Sequence, residues 1–498
     1  MNKYLFSLLF FLIINQQTEA QILPKEGSLL NFRLIGFSCS AMPQVSNYSI
    51  EIATGTYNTE TSFKKNIFKS VSSKKNKIIA EVTSFDARYT WRIIYKYNNS
   101  VETKSKFYHF RTGIIPEIDT NINRLRILRK AKKYKDAYVF LDINKALYDM
   151  KGLPIWYLPT PESKDINIRD LKITPQGSIT YVIDEMGVYE INYKGDIIWK
   201  GPNNGIVSGD SLEHYHHEFT RLKSGHYMAL AQNFEYWENP TTNDSNLIIV
   251  PKDKIKPEEI NTEYTLHPMG TLIEYDKNGK VVWSWKSSDY FNGSTIFYHK
   301  NHGGSAIQMH AHENSFFFDE TSKAIYLSCR NLDRIIKIKY PEGNIVHIYG
   351  GDSAMGKGFF CGQHSCRISK KGYLYLFNNN NCNPGKLPAI LMMKEPISDK
   401  DSMKKVWEYE CSVTAPSSNG YPSGGNVIEL PDYSLFVSMA YPDSRVFILT
   451  MDKEILWSAV AEKFNAANKK WESVNLFRAS IIPSRTELER LIWNSESY

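Results

Sequence analysis

No long Ala/Glu/Leu-rich block occurs in the 498-residue sequence, which excludes a helical bundle as the main architecture. Long apolar runs are missing too, apart from one at the start. "MNKYLFSLLFFLIINQQTEAQ" sets Lys3 before an apolar run from Tyr4 to Ile14, with a Thr18-Glu19-Ala20 cleavage site before Gln21. That is the layout of a signal peptide (residues 1–20) rather than of a membrane span, being short and followed by polar chain. The mature protein is therefore expected to be exported, periplasmic or secreted, with no stable membrane anchor. Cysteine is scarce as well: Cys39, Cys329, Cys361, Cys366, Cys382 and Cys411. Their spacings are not those of a zinc ribbon. In an oxidising compartment they predict one disulfide, whose connectivity the spacing leaves open. Nor is charge of one sign concentrated. The formal net charge of +7 is spread along the chain, which speaks against a nucleic-acid groove and is compatible with an anionic substrate.

Aromatic residues are what the sequence has in quantity. They make up 13% of it, with 31 Tyr and 10 Trp, and favour strands. The length exceeds what one small core can use, so two domains are expected. In residues 21–113, "YTWRIIYKY" alternates Tyr89, Trp91, Ile93 and Tyr95 on one face. With "FYHFRTG" after it, the pair resembles the last strands of a fibronectin type III-like β-sandwich, and no chemistry is visible there. Residues 114–136 include the basic "RLRILRKAKKYKD", expected to be a solvated linker or a packing helix.

From residue 137 to 498 a repeat takes over. A hydrophobic strand, a polar turn and a second strand, mostly with Trp, recur as "AYVFLDINKALYDMKGLPIWYL", "GVYEINYKGDIIWKG", "GTLIEYDKNGKVVWSW", "DRIIKIKYPEGNIVHIYG", "AILMMKEPISDKDSMKKVWEYE" and "SRVFILTMDKEILWSA". A second kind of hairpin precedes each copy after the first, for example "HEFTRLKSGHYMALAQ" and "HSCRISKKGYLYLFN". Paired hairpins make four-stranded sheets, and six of them make an all-β, six-bladed β-propeller. The first blade lacks an inner partner, which the C-terminal "NLFRASIIPS" can supply.

In such a fold the inner strands open at one mouth of the channel. His217 stands eight residues before Gly225, and His364 eight before Gly372; His312 opens the inner strand between them. Asn314 shares a face with His312. Arg330 ends the strand that returns beside His312. A metal would use His310 and His312 with a third ligand, yet an adjacent arginine suits a dication poorly and His310 has no counterpart in other blades. "GDSAMGKG" matches the start of a phosphate-binding loop but puts Gly358 where Ser or Thr must bind magnesium. There is no G-x-S-x-G elbow, and no acid–base carboxylate pair of a glycosidase at the mouth. No cofactor is expected. A cluster of three histidines, an asparagine and an arginine suits transfer of an anionic group. Positioned cations stabilise the spread negative charge of a loose transition state. A neutral imidazole can be the nucleophile, and another can move the proton. A non-catalytic site for an anionic ligand or partner at the same mouth is the alternative.

"HHEFTRLKSGHYMAL", "HENSFFFD…YLSCR" and "GQHSCRISKKGYLYLFNNNN" resemble the bacterial arylsulfate sulfotransferases over nearly all of the mature chain. The resemblance implies a small β-sandwich followed by a six-bladed propeller. It implies nucleotide-independent transfer of a sulfuryl group from an aryl sulfate donor to a phenolic acceptor, ping-pong, through a sulfohistidine. It makes His364 the nucleophile, lets His312, Asn314 and Arg330 hold the sulfuryl oxygens, and has His217 assist as a donor or as the acid–base group near the phenol oxygen; His216 is expected to point to the other face. A homodimer is left open. The sequence departs from the family at Met309-His310, where the family has Asp-Trp, and at Phe477, which replaces a tyrosine. Cys361 precedes the inner strand of His364 and Cys382 follows its partner strand, so a Cys361–Cys382 bridge is expected at the same mouth.

Overall fold

The computed structural model describes residues 22–159, 166–238, 249–261, 263–291, 311–351, 355–383, 385–396, 401–411, 423–440 and 443–495. The proposed signal peptide lies outside them, as do residues 352–354 of the glycine-rich loop. The structure is nearly all β, with 50% strand and 7% helix. It divides into two compact units, Met1–Gly113 and Ile114–Tyr498.

In the first unit one sheet carries Ser28–Leu30, Tyr108–Thr112, Ala87–Tyr97, Val45–Thr54 and Ile67–Ser73, with Glu102–Lys104 on Ala87–Tyr97, while Leu34–Ser38 pairs with Lys77–Glu81. The alternation in Ala87–Tyr97 does what period 2 requires. Tyr89, Trp91 and Ile93 are buried, and Phe37 meets Trp91 edge-on at 4.8 Å between centroids. The opposite face buries Arg92, which is possible because Glu51 and Glu60 pair with it.

The second unit is propeller-like. Six sheets of at least four antiparallel strands follow one another along the described chain. The first joins Tyr138–Leu141, Ala146–Asp149 and Pro154–Tyr157 to the C-terminal Ala479–Ile482, which pairs with Tyr138–Leu141. The second is Ile168–Ile173, Ile179–Ile183, Gly187–Ile191 and Ile197–Lys200. The third is Phe219–Arg221, Tyr227–Glu238, Tyr264–Tyr275 and Val281–Lys286. The fourth runs Glu313–Asp319, Ala324–Cys329, Arg334–Lys339 and Ile345–Gly350. The fifth runs His364–Ile368, Leu374–Asn378, Ala389–Lys394 and Lys404–Glu410. The sixth runs Asn426–Glu429, Leu435–Ser438, Arg445–Leu449 and Ile455–Asn465.

Apolar layers fill the spaces between successive sheets. One gathers Leu230, Leu272, Phe316, Leu327 and Ile336 from the third and fourth, and another gathers Tyr326, Ile335, Leu376 and Leu391 from the fourth and fifth. This is why middle strands such as "ITYVI" are buried throughout instead of alternating: both faces are covered. The recurrent tryptophans tie sheets together at their outer edges. Each Nε1–H donates to a turn carbonyl of the next sheet: Trp156 to Tyr193, Trp285 to Gly343, Trp407 to Met451, and Trp457 of the sixth sheet to Met150 of the first. Trp199 instead stacks on Tyr227, with centroids 3.9 Å apart.

The basic segment expected as a linker or helix is a strand over its first part, while residues 130–136 are mostly exposed and outside helix and strand. Asn123–Arg129 is a strand at the edge of the sixth sheet, paired with Ile455–Asn465. Its R-L-R alternation has period 2. Leu125 is buried, while Arg124 and Arg126 both reach Glu462 at 2.8 Å.

Candidate active site

The first strands of the second to fifth sheets begin with backbone kinks. Asp170, His217, His312 and Ser365 have φ of 56°, 57°, 53° and 57°, the left-handed region that residues with a β-carbon seldom adopt. Strain of this kind collects at functional sites. The ladders slip beside three of them, between Arg169 and Lys172, between Glu313 and Ser315, and between His364 and Arg367, as bulges that re-aim side chains. At His217 the turn closes in three residues, with Glu218 N–H donating to the His216 carbonyl at 2.6 Å. That turn brings the two neighbouring rings together.

His364 is 1% exposed. Its Nδ1 lies 3.1 Å from the Gly362 carbonyl, which can only accept, so Nδ1 carries the proton. Nε2 then bears the lone pair, and Gly424 N–H donates to it at 3.2 Å. Burial, followed by the charges of Arg330 and Arg478, pushes this imidazole well below its ordinary 6.5. It is neutral at pH 7.

His217 is neutral for similar reasons: burial first, then His216, Arg169 and His312. Its ring meets His312 at 5.3 Å and Phe477 at 5.5 Å between centroids, and Phe477 in turn lies 6.2 Å from His364. Phe477 is thus an apolar wall between the two imidazoles, and the Arg169 guanidinium covers it at 4.2 Å. A cavity of about 220 Å³ opens against Arg169, Asp184, His216, His217, His312 and Glu313. A larger one of about 660 Å³ shares none of these walls; it is lined by residues such as Glu117, Asn144, Phe464 and Glu472.

Asn314 is buried, and its Nδ2 donates to the Gln363 carbonyl at 2.8 Å, tying the fourth sheet to the residue before His364. Among the described residues its Oδ1 has no hydrogen-bond partner, and neither does Arg330 Nε. Arg330 N–H donates to the His312 carbonyl at 2.9 Å, so the returning strand does end beside His312. Arg478, 3% exposed, is the hub beneath. It donates to the carbonyls of Asn314 (2.7 Å) and His217 (3.2 Å) and pairs with Asp170 at 3.3 Å. Glu218 lies 3.5 Å from Arg478 and is bonded to Arg367. Burial alone raises a carboxyl, but the Arg367, Arg478 and Lys172 charges outweigh it and hold Glu218 below the usual range. Paired in this way, buried charges can be tolerated under the mouth.

Cys361 and Cys382 form a disulfide with Cα atoms 5.9 Å apart, stapling the approach to His364 onto the loop after its partner strand. Cys39, Cys329, Cys366 and Cys411 are buried thiols.

Ring contacts connect His312 to His217 directly and His217 to His364 through Phe477, and hydrogen bonds place Asn314 and Arg330 beside them. Met309 and His310 lie outside the described residues. Among the described residues no group of His, Cys, Asp and Glu is arranged to hold a metal ion. Sequence reasoning missed Arg169, His216 and the hub Arg478. His216 does not turn away: its Nδ1 is 2.7 Å from His217 Nδ1. Arg169 had a signal, standing eight residues before Gly177 as His364 stands before Gly372.

No curated protein matches this sequence. Solved structures that superpose on it include a protein of unknown function from Bacteroides caccae, with 10% identity, 72% of this chain and 99% of that chain covered, and a TM-score of 0.39. A putative 6-phosphogluconolactonase from Bacteroides fragilis has 12% identity, covers 89% and 100%, and scores 0.34. Hydrazine synthase of Kuenenia stuttgartiensis has 9% identity, covers 64% and 99%, and scores 0.33. At such identities and scores none of them bears on activity. The sequence model of the Arylsulfotransferase (ASST) family, by contrast, matches residues 127–410, more than half of the sequence. That span contains His217, His312, Asn314, Arg330 and His364, and the chain belongs to the arylsulfotransferase (ASST) family.

Proposed function

We propose that the protein is a nucleotide-independent aryl-sulfate sulfotransferase working by a ping-pong mechanism through a sulfohistidine at His364. The observation that carries this is the state of His364: neutral, buried, its Nδ1–H anchored on Gly362 and its Nε2 bearing the lone pair, with the charges of Arg330, Arg478 and Arg169 acting on the ring. In the first half-reaction Nε2 attacks sulfur and the S–O(aryl) bond breaks, its electron pair leaving on the phenolate. Arg330, His312 and Asn314 hold the sulfuryl oxygens, whose negative charge spreads in a loose transition state. Gly424 N–H gives up Nε2 and is then placed to donate to one of those oxygens. In the second half-reaction the acceptor phenol loses its proton to His217 Nε2. Its oxygen attacks sulfur, the S–N bond breaks, and the pair returns to His364.

His217 is neutral in the free enzyme, so it serves the acceptor as a base more readily than it serves the donor as an acid. Donors whose phenolate leaves without a proton are favoured. Phe477 supplies an aromatic wall for either ring. The six sheets are read as blades of one propeller. In support, the C-terminal strand completes the first sheet, and Trp457 links the sixth sheet to the first. An N-terminal signal peptide and a disulfide fit an exported, periplasmic or secreted enzyme, and no helix among the described residues is long and apolar enough to cross a membrane. Incubation with a chromogenic aryl sulfate and a phenol tests the reading. Phenolate release with an acid-labile sulfuryl adduct on His364 is expected; release of neither would leave an anion-binding protein.

A further inference from the structure

We propose that His216 is a positioning residue that fixes the tautomer of His217, leaving the lone pair of His217 on Nε2 and facing the cavity. The inference rests on the acid–base role of His217 given above. It follows from which atoms can donate. His216 Nε2 is 3.0 Å from the Ala231 carbonyl, an acceptor only, so Nε2 carries the hydrogen of a neutral His216. His216 Nδ1 is then a lone pair. His217 Nδ1, 2.7 Å away, must supply the proton between them, and its Nε2 is left unprotonated. The order is Ala231 C=O, His216 Nε2–H, His216 Nδ1, His217 Nδ1–H, His217 Nε2. The strained turn at His217, with φ of 57° and Glu218 N–H on the His216 carbonyl, holds the two rings at 4.9 Å between centroids.

A histidine base is usually oriented by a carboxylate, which also stabilises its protonated form. Here the partner is a second imidazole, whose own charge opposes protonation of His217. The other charges facing His217 are Arg169, Arg478 and His312, all of which oppose its protonation, while Asp184 and Glu313 stand farther round the same cavity. His216 therefore orients the base without making it a stronger one.

Two experiments test this. In the wild-type protein, ¹⁵N shifts of labelled imidazoles near pH 7 should show His217 as the Nδ1–H tautomer and His216 as Nε2–H; His217 found as Nε2–H overturns the inference. In the second, first-turnover release of nitrophenolate from 4-nitrophenyl sulfate reports the His364 step and folding, and transfer to phenol reports the His217 step. His216→Asp should keep the first-turnover burst and move the acid limb of the transfer step up by about one pH unit or more. His216→Ala should keep the burst and slow transfer by about 10-fold or more. An acid limb unmoved in His216→Asp, with its burst intact, sinks the role of His216 alone. If His217→Ala leaves that limb in place, the acid–base assignment of His217 fails, and this inference with it.

Discussion

A histidine can attack sulfur only through an unprotonated nitrogen, and burial beside Arg330 and Arg478 keeps His364 in that form. His364→Ala should abolish the adduct and lower transfer on the order of 10⁴-fold or more, measured with the chromogenic donor. His217→Ala should keep part of the rate with nitrophenyl donors and lose about 10²-fold or more in transfer to the phenol. Both imidazoles titrate below 6.5 in the folded protein, so the unfolded chain takes up protons first as pH falls. Stability is then full above 6.5 and declines as pH drops from there towards the folded pKa values. Melting temperatures at pH 7.5 and 5.5 check the sign, and the loss should shrink in the His364→Ala variant. His217 and His364 could be picked out because each stands eight residues before a hairpin glycine, and His312, Asn314 and Arg330 because they open or end strands of the hairpin between those two; their proposed roles came from the family resemblance. Arg478 could not, since its partners His217 and Asn314 are remote in sequence and both offer backbone carbonyls. His216 was hidden by strand logic: neighbours on a regular strand face opposite ways, and only the left-handed turn at His217 breaks that rule.

Among the elements, the first strand of the fifth sheet matters most, because its first residue is the proposed nucleophile. The disulfide holds its approach. Closing a loop with a sequence separation of 21 removes unfolded-state entropy worth about 3 kcal/mol. The double variant Cys361→Ser/Cys382→Ser should lower unfolding free energy by about that amount in denaturant titration. The bridge was legible because the two cysteines flank one hairpin. The strand Asn123–Arg129 was not. Its basic composition suggested solvent, but an edge strand can be basic when a buried Glu462 answers two arginines at i and i+2. Alternation, not charge, was the informative pattern there.

At the scale of the whole molecule, the repeat was the clearest message in the sequence, since each sheet buries its faces only against the next. The tryptophans that marked the repeat turn out to be joints. Trp457 is fully buried, and its Nε1–H donates to Met150 at 3.1 Å. Trp457→Phe leaves that carbonyl unpaired and a small void, costing about 1–3 kcal/mol, read as a lower melting temperature. His347 takes the place of Trp in the fourth sheet and meets Tyr349 of its own strand. The proposed chemistry rests on one nitrogen, Nε2 of His364. The most direct measurement is mass spectrometry of the protein quenched at high pH after a brief exposure to an aryl sulfate without acceptor. The account predicts one acid-labile sulfuryl group on His364, discharged when a phenol is added. A stable adduct on another residue, or turnover with His364 never modified, would contradict it.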